Sequence, residues 1–126
     1  MSGKMQDKVV VITGSGSGIG REAALIFARE GAKVVVSDVN VAGGDETVAL
    51  VEGAGGEATF IQCDVSKGPQ VEALIKGAVD AYGRLDAAFN NAGIEGDTQA
   101  TTITCTEENF DLNIAVNLKG VWWCMK

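Results

Sequence analysis

Residues Thr13-Gly14-Ser15-Gly16-Ser17-Gly18-Ile19-Gly20 separate two regular patterns, the wholly apolar run Val9 to Ile12 and a helical repeat that begins at Ile19. Few junctions restrict a fold so tightly. A run that is apolar at every position suits a parallel strand buried on both faces. Ile19, Ala23, Ile26 and Phe27 recur at i, i+4, i+7 and i+8, which predicts the inward stripe of an amphipathic helix that stops near Gly31. Between strand and helix, glycine permits positive φ and lets another group come close to the backbone. The spacing is not G-x-G-x-x-G, because Ile19 and Arg21 stand where a third glycine would fall; it is T-G-x-x-x-G-I-G. A merely flexible Gly/Ser turn is the alternative, and the strand before and helix after argue against it.

The pattern repeats along the chain. Val34 to Val36 predicts a second buried strand, Thr47, Leu50, Val51 and Ala54 a second helix, and Ala58 to Ile61 a third strand. Pro69 suits the first turn of a third helix, whose stripe Val71, Leu74, Ile75, Ala78, Val79 and Tyr82 ends at Gly83. Leu85 to Phe89 predicts a fourth strand. Strands alternating with helices through right-handed crossovers predict an α/β fold. It is a Rossmann-like doubly wound parallel sheet, partial at about four strands in the order 3-2-1-4, with helices on both faces. A Thr-rich loop from about Ile94 to Thr106 leads to a last helix, capped by Thr104 or Thr106, with Ile114, Leu118, Val121, Trp122 and Met125 as its stripe. No stop signal follows that helix, so the chain is expected to be one domain over 1–126 that is incomplete at its carboxyl end.

Composition excludes several classes. With 46% hydrophobic residues, one Pro and no low-complexity tract, a chain of 126 residues reads as globular. A net charge of −7 without a Lys/Arg cluster argues against a nucleic-acid partner. No run is long and apolar enough for a signal peptide or a membrane span, so no membrane role and a cytoplasmic location are expected. Cys63, Cys105 and Cys124 form no C-x-x-C pair and there is no His, so the cysteines are expected to be reduced and structural, with no metal site.

The chemistry gathers where strands end. The glycine turn, from Gly14 and Ser15 through Ser17, Gly18 and Ile19 to Gly20, offers N–H groups at a helix amino terminus to an anion such as a dinucleotide pyrophosphate. Asp38, with Val39 after it, follows the second strand; its carboxylate can accept from both ribose hydroxyls of an adenosine and would repel a 2′-phosphate, favouring NAD over NADP. Ser17 agrees, since no Lys or Arg stands there to attract a further phosphate. Cys63, Asp64 and Val65 end the third strand at the same sheet edge, where Asp64 serves either an adenine amino group or the cap of its own turn. Asn90-Asn91-Ala92-Gly93 closes the fourth strand, with amides to tie neighbouring strands and small residues to admit a flat ligand. Asn117 lies on or beside the inward stripe of the last helix, where a buried amide must find partners.

Together, Thr13-Gly14-x-x-x-Gly18-Ile19-Gly20, Asp38, Asp64-Val65, Asn90-Asn91-Ala92-Gly93 and Asn117-Leu118-Lys119-Gly120 resemble the short-chain dehydrogenase/reductase family, in family order from about Gln6 onward. The resemblance implies that Gly14 to Gly20 bind pyrophosphate, Asp38 the adenosine ribose, and Asp64 and Val65 the adenine, with Asn90 to Gly93 lining the cofactor. It implies that Asn117 is the catalytic Asn, which helps to hold a proton-relay water. It also implies hydride transfer between a nicotinamide and a small alcohol or carbonyl substrate.

The family's Tyr, Lys and Ser have no counterpart here. Tyr82 is the only tyrosine, Asp86 stands four residues after it, and its place on a helical stripe marks it as core. Losing a positioned acid/base group costs roughly 10²- to 10⁴-fold in rate, so this half is expected to be inactive alone. A fourth strand left as an edge is expected to promote self-association or a homo-oligomer. A noncatalytic nucleotide-binding or self-assembling module is the alternative; a methyltransferase is disfavoured by the pyrophosphate-type turn and by Asn90 to Gly93.

Overall fold

A computed structural model describes residues 3–126 and contains one sheet with four parallel strands. In chain order the elements are β1 (Val9–Thr13), α1 (Gly18–Arg29), β2 (Lys33–Asp38), α2 (Val41–Gly53), β3 (Glu57–Gln62), α3 (Gly68–Tyr82), β4 (Ala87–Phe89) and α4 (Glu107–Asn113). A π-helical turn, Ile114–Lys119, then joins α4 to α5 (Gly120–Met125). The sheet order is β3-β2-β1-β4, with Val10 paired to Val34 on one side and to Ala87 on the other. The predicted fold and order are those observed.

Alternation along the central strands divides the core in two. Val10, Ile12, Val34 and Val36 pack beneath α1 and α2 with Ala24 and Val51. Val9, Val11 and Val35 point the other way, against Val71, Leu74 and Ala78 of α3 and, more peripherally, Trp123 and Cys124 of α5. Both faces are covered, which is why these strands read as continuous apolar runs. Strand β4 starts two residues later than predicted. Asp86 brackets the start of β1 instead: its Oδ2 accepts from the Val9 N–H at 2.9 Å, its own N–H donates to the Val9 carbonyl at 2.9 Å, and Arg84 pairs with its Oδ1.

The helical stripes need correction. On α1 the sheet-facing residues are Gly20 and Ala24, whereas Ile19 is 74% exposed and Ile26 47%. Across the π turn and α5, Ile114, Leu118, Trp122 and Met125 are exposed and Gly120 is buried, where a Cβ would sit 2.7 Å from Cγ2 of Val65. At Gly20 a Cβ would collide with the Gly14 carbonyl and at Gly120 with Val65, so these inward positions carry no side chain. The π turn also breaks the 3.6-residue period on which the last stripe was read. Likewise Leu50 and Val79 are exposed, although both belonged to predicted stripes.

Two expected outcomes follow from this packing. Leu74→Ala should cost about 2–5 kcal/mol in denaturant unfolding, and Val79→Ala, on the solvent side of the same helix, less than about 1 kcal/mol. Burial, reinforced by Cys124 and Asp64, pushes the Cys63 thiol from an ordinary 9.0 up to about 11. The unfolded chain releases that proton first, so the associated stability is complete below pH 9.0 and drains away as pH rises towards 11. Unfolding measured across that range should show the decline, and Cys63→Ala should flatten it.

Candidate dinucleotide site

Four strand ends create one cleft. The turn after β1, the end of β2, the end of β3 and the segment after β4 enclose about 710 Å³ at the carboxyl edge of the sheet. This is the place where the strand order reverses between β1 and β4, as expected for ligand sites in open α/β sheets. Gly14, Ser17, Gly18, Ile19, Asp38, Val39, Cys63, Asp64, Val65, Asn91, Ala92 and Gly93 all line it. Thus most of the predicted cofactor residues, scattered from 14 to 93, share one surface.

The glycine turn is shaped by contact. Gly14 has φ +66°, and a Cβ there would lie 2.8 Å from Cα of Ala92. Gly20 is buried against the Gly14 carbonyl, and a Cβ would also meet Nδ2 of Asn91 at 2.8 Å. That amide nitrogen donates to the carbonyls of Thr13 (3.2 Å) and Gly14 (3.3 Å), while the Ala92 N–H donates to Oγ1 of Thr13 at 3.1 Å. Asn91 therefore ties β4 to the turn, as the paired amides suggested. Ser15 lies beneath the cleft rather than in it: its buried hydroxyl donates to the Ile12 carbonyl at 2.6 Å and accepts from the Ser37 N–H at 3.0 Å.

The electrostatic design pairs free donors with a fixed acceptor. Helix α1 begins with Ser17 as N-cap, which makes no side-chain cap, and its first turn holds no acidic residue. By contrast α2 and α4 are capped by Asn40 and Thr106. The leading N–H groups of α1 thus face the cleft with the helix dipole behind them, an arrangement suited to an anion. Beside them Asp38 accepts from the Gly16 N–H through Oδ2 at 2.9 Å and from the Asn40 N–H through Oδ1 at 3.0 Å. Each oxygen retains acceptor capacity towards the cleft.

Asp64 serves its own turn, with Oδ1 accepting from the Ser66 N–H at 2.9 Å and hydroxyl at 2.6 Å, and still lines the cleft. Asn90 stands behind the wall, its Oδ1 buried without a partner among the described residues. Asn117 is exposed rather than buried, and its amide is engaged by Ile94: Oδ1 accepts from the Ile94 N–H and Nδ2 donates to the Ile94 carbonyl, both at 2.8 Å.

Several contributors were not legible beforehand. Ile94, Glu95, Leu112 and Val116 complete the wall. Arg21 braces the turn from behind, donating to the Gly16 carbonyl at 2.6 Å and to Oγ1 of Thr47 at 3.0 Å, with Glu46 at 3.2 Å. A basic residue directly after T-G-x-x-x-G-I-G was the available signal for that brace.

Known proteins are similar to this chain in sequence and in fold. The chain is 50% identical over 117 residues to an uncharacterized oxidoreductase of Thermotoga maritima, covering 91% of this chain and 44% of that protein. It is 38% identical to the cyclohexanol dehydrogenase of an Acinetobacter strain, covering 99% and 49%. A short chain dehydrogenase/reductase from Burkholderia phymatum, solved in complex with NAD, superposes with a TM-score of 0.92 at 35% identity, over 97% of this chain and 43% of that one. The chain spans about half the length of the curated relatives it matches. Residues 8–126, from the bracketed start of β1 to the last helix, match the short chain dehydrogenase family, and the chain belongs to it.

Proposed function

We propose that this chain supplies the NAD-binding half of an oxidoreductase that moves hydride between the nicotinamide and an alcohol or carbonyl carbon. The uncapped amino terminus of α1, opening onto a cleft flanked by Asp38 and by Asn91 to Gly93, carries the reading. In it Gly14 to Gly20 hold the pyrophosphate, Asp38 the adenosine ribose and Asp64 with Val65 the adenine. When bound, the nicotinamide supplies the hydride donor or acceptor; the chain's own part is to orient it and exclude water. Asn117 holds Ile94 at the cleft wall and is assigned the family's relay position.

Cofactor choice follows from charge. The Asp38 carboxylate would repel a 2′-phosphate, and Arg21, the cation beside the turn, is committed to Gly16, Thr47 and Glu46. NAD is therefore the proposed partner, at a cytoplasmic location. Among the described residues no helix is long and apolar enough to cross a membrane.

The 126 residues hold one tyrosine, Tyr82, packed against the core with Asp86 four positions on, so a polypeptide of these residues alone is expected to oxidise no alcohol measurably. A second reading, a noncatalytic nucleotide-binding module, draws on the same cleft and on the edge position of β4. Strand β4 lies at the edge of the sheet, which favours self-association.

Calorimetric titration should give NAD binding tighter than NADP. Asp38→Ala should weaken NAD at least about tenfold and narrow the difference from NADP, because hydrogen bonds to a charged acceptor are lost. Equal affinity for both cofactors in the unaltered chain would contradict the assignment. Light scattering should return a mass above one chain; a monodisperse monomer at high concentration would remove the edge-pairing expectation.

A further inference from the structure

The wall of the cleft on the β4 side belongs to a loop that has no regular structure between Ile94 and Thr106, yet its first four residues are fixed at two points. Asn117 grips Ile94 through both its N–H and its carbonyl. Asn109 grips Asp97, whose N–H donates to Oδ1 at 2.9 Å. Between those two asparagines stands Asn113. Its Nδ2 donates to the Asn109 carbonyl at 2.8 Å and reaches Oδ1 of Asn109 at 3.4 Å, while its Oδ1 accepts from Nδ2 of Asn117 at 3.4 Å.

Three amides at i, i+4 and i+8 therefore form one hydrogen-bonded ladder along α4 and into the π turn. The loop is seated on its middle rung: at Gly96, where φ is +72°, a Cβ would run into Nδ2 of Asn113 and lie 2.8 Å from Oδ1 of Asn109. A side chain there meets both a strained backbone and filled space. Asn113 does not line the cleft, but Ile94 and Glu95, immediately before this seat, do.

Strand order gives the clamped wall its ligand. Adenosine groups placed at the ends of β2 and β3 and a pyrophosphate at the turn after β1 leave the second nucleoside on the β4 side. We propose that Asn113 is a positioning residue that, through Asn109 and Asn117, presents Ile94 and Glu95 to the nicotinamide half of the dinucleotide, so that the ladder favours a dinucleotide over an adenine mononucleotide. The proposal rests on the cofactor reading given above.

Calorimetric titration of the unaltered chain, Asn113→Leu and Gly96→Ala with NAD and with AMP tests it. The unaltered chain should prefer NAD. In Asn113→Leu that preference should shrink by about fivefold or more, through weaker NAD binding at unchanged AMP affinity, since the middle hydrogen bonds are lost. Gly96→Ala, which keeps all three asparagines but lifts the loop, should do the same and decides the matter if Asn113→Leu does not fold. Unchanged NAD preference in the folded variants, or equal losses for NAD and AMP, would overturn the ladder's role while leaving the cofactor reading intact. Failure of the unaltered chain to bind NAD would overturn the cofactor reading and the proposal together.

Discussion

The cleft exists because the turn after β1 is bound to the end of β2. Ser15 makes that connection from within the core: its N–H donates to the Ser37 carbonyl at 3.0 Å and its hydroxyl accepts the Ser37 N–H at 3.0 Å. Its own carbonyl accepts from the Thr47 hydroxyl of α2 at 2.8 Å. A buried hydroxyl replaces the sheet ladder where the chain leaves β1 and must turn. Removing it would deprive the Ser37 N–H of its acceptor, at a cost of about 1–3 kcal/mol. The contacts at the mouth of the cleft build on this junction, among them the hydrogen bond from the Gly16 N–H to Asp38.

Given that junction, charge follows geometry. The turn spends no side chain on capping α1, so the helix keeps its leading N–H groups available, and Asp38 sits beside them already held by two backbone donors. One end of the cleft thus favours an anion and its neighbour favours hydroxyl groups. Arg21 stiffens the same turn from outside without entering the cleft, because its guanidinium is spent on carbonyl, hydroxyl and carboxylate partners. Asn91 closes the arrangement from β4, its amide wedged against Gly14 and Gly20.

Much of this was legible because strands buried on both faces have a plain signature. Val9 to Ile12 and Val34 to Val36 could hardly be anything else, and the strand order they imply puts Asp38 and Asp64 at one edge of the sheet. The helical stripes misled for a physical reason. Ile19, Ile26 and Leu118 are large and so read as inward, whereas the buried positions are Gly20, Ala24 and Gly120, which periodicity of bulk does not register. Asn117 was read as a buried amide needing partners; it has the partners but is exposed, since it meets a loop rather than the core. That loop carries no periodic signal that would mark Ile94 and Glu95 as part of the wall, and a serine within a glycine turn gives no sign that it holds the turn from below.

On the function proposed above, the uncapped start of α1 and the Asp38 edge hold one dinucleotide. Mapping backbone amide chemical shifts during an NAD titration tests it most directly. The largest changes are expected at Ser17 to Gly20, with further changes at Asp38, Asp64 and Ala92 to Ile94, and none along the groove that Gly68, Glu72 and Trp123 line between α3 and α5. Changes confined to that groove, or an unperturbed glycine turn at saturating NAD, would contradict it.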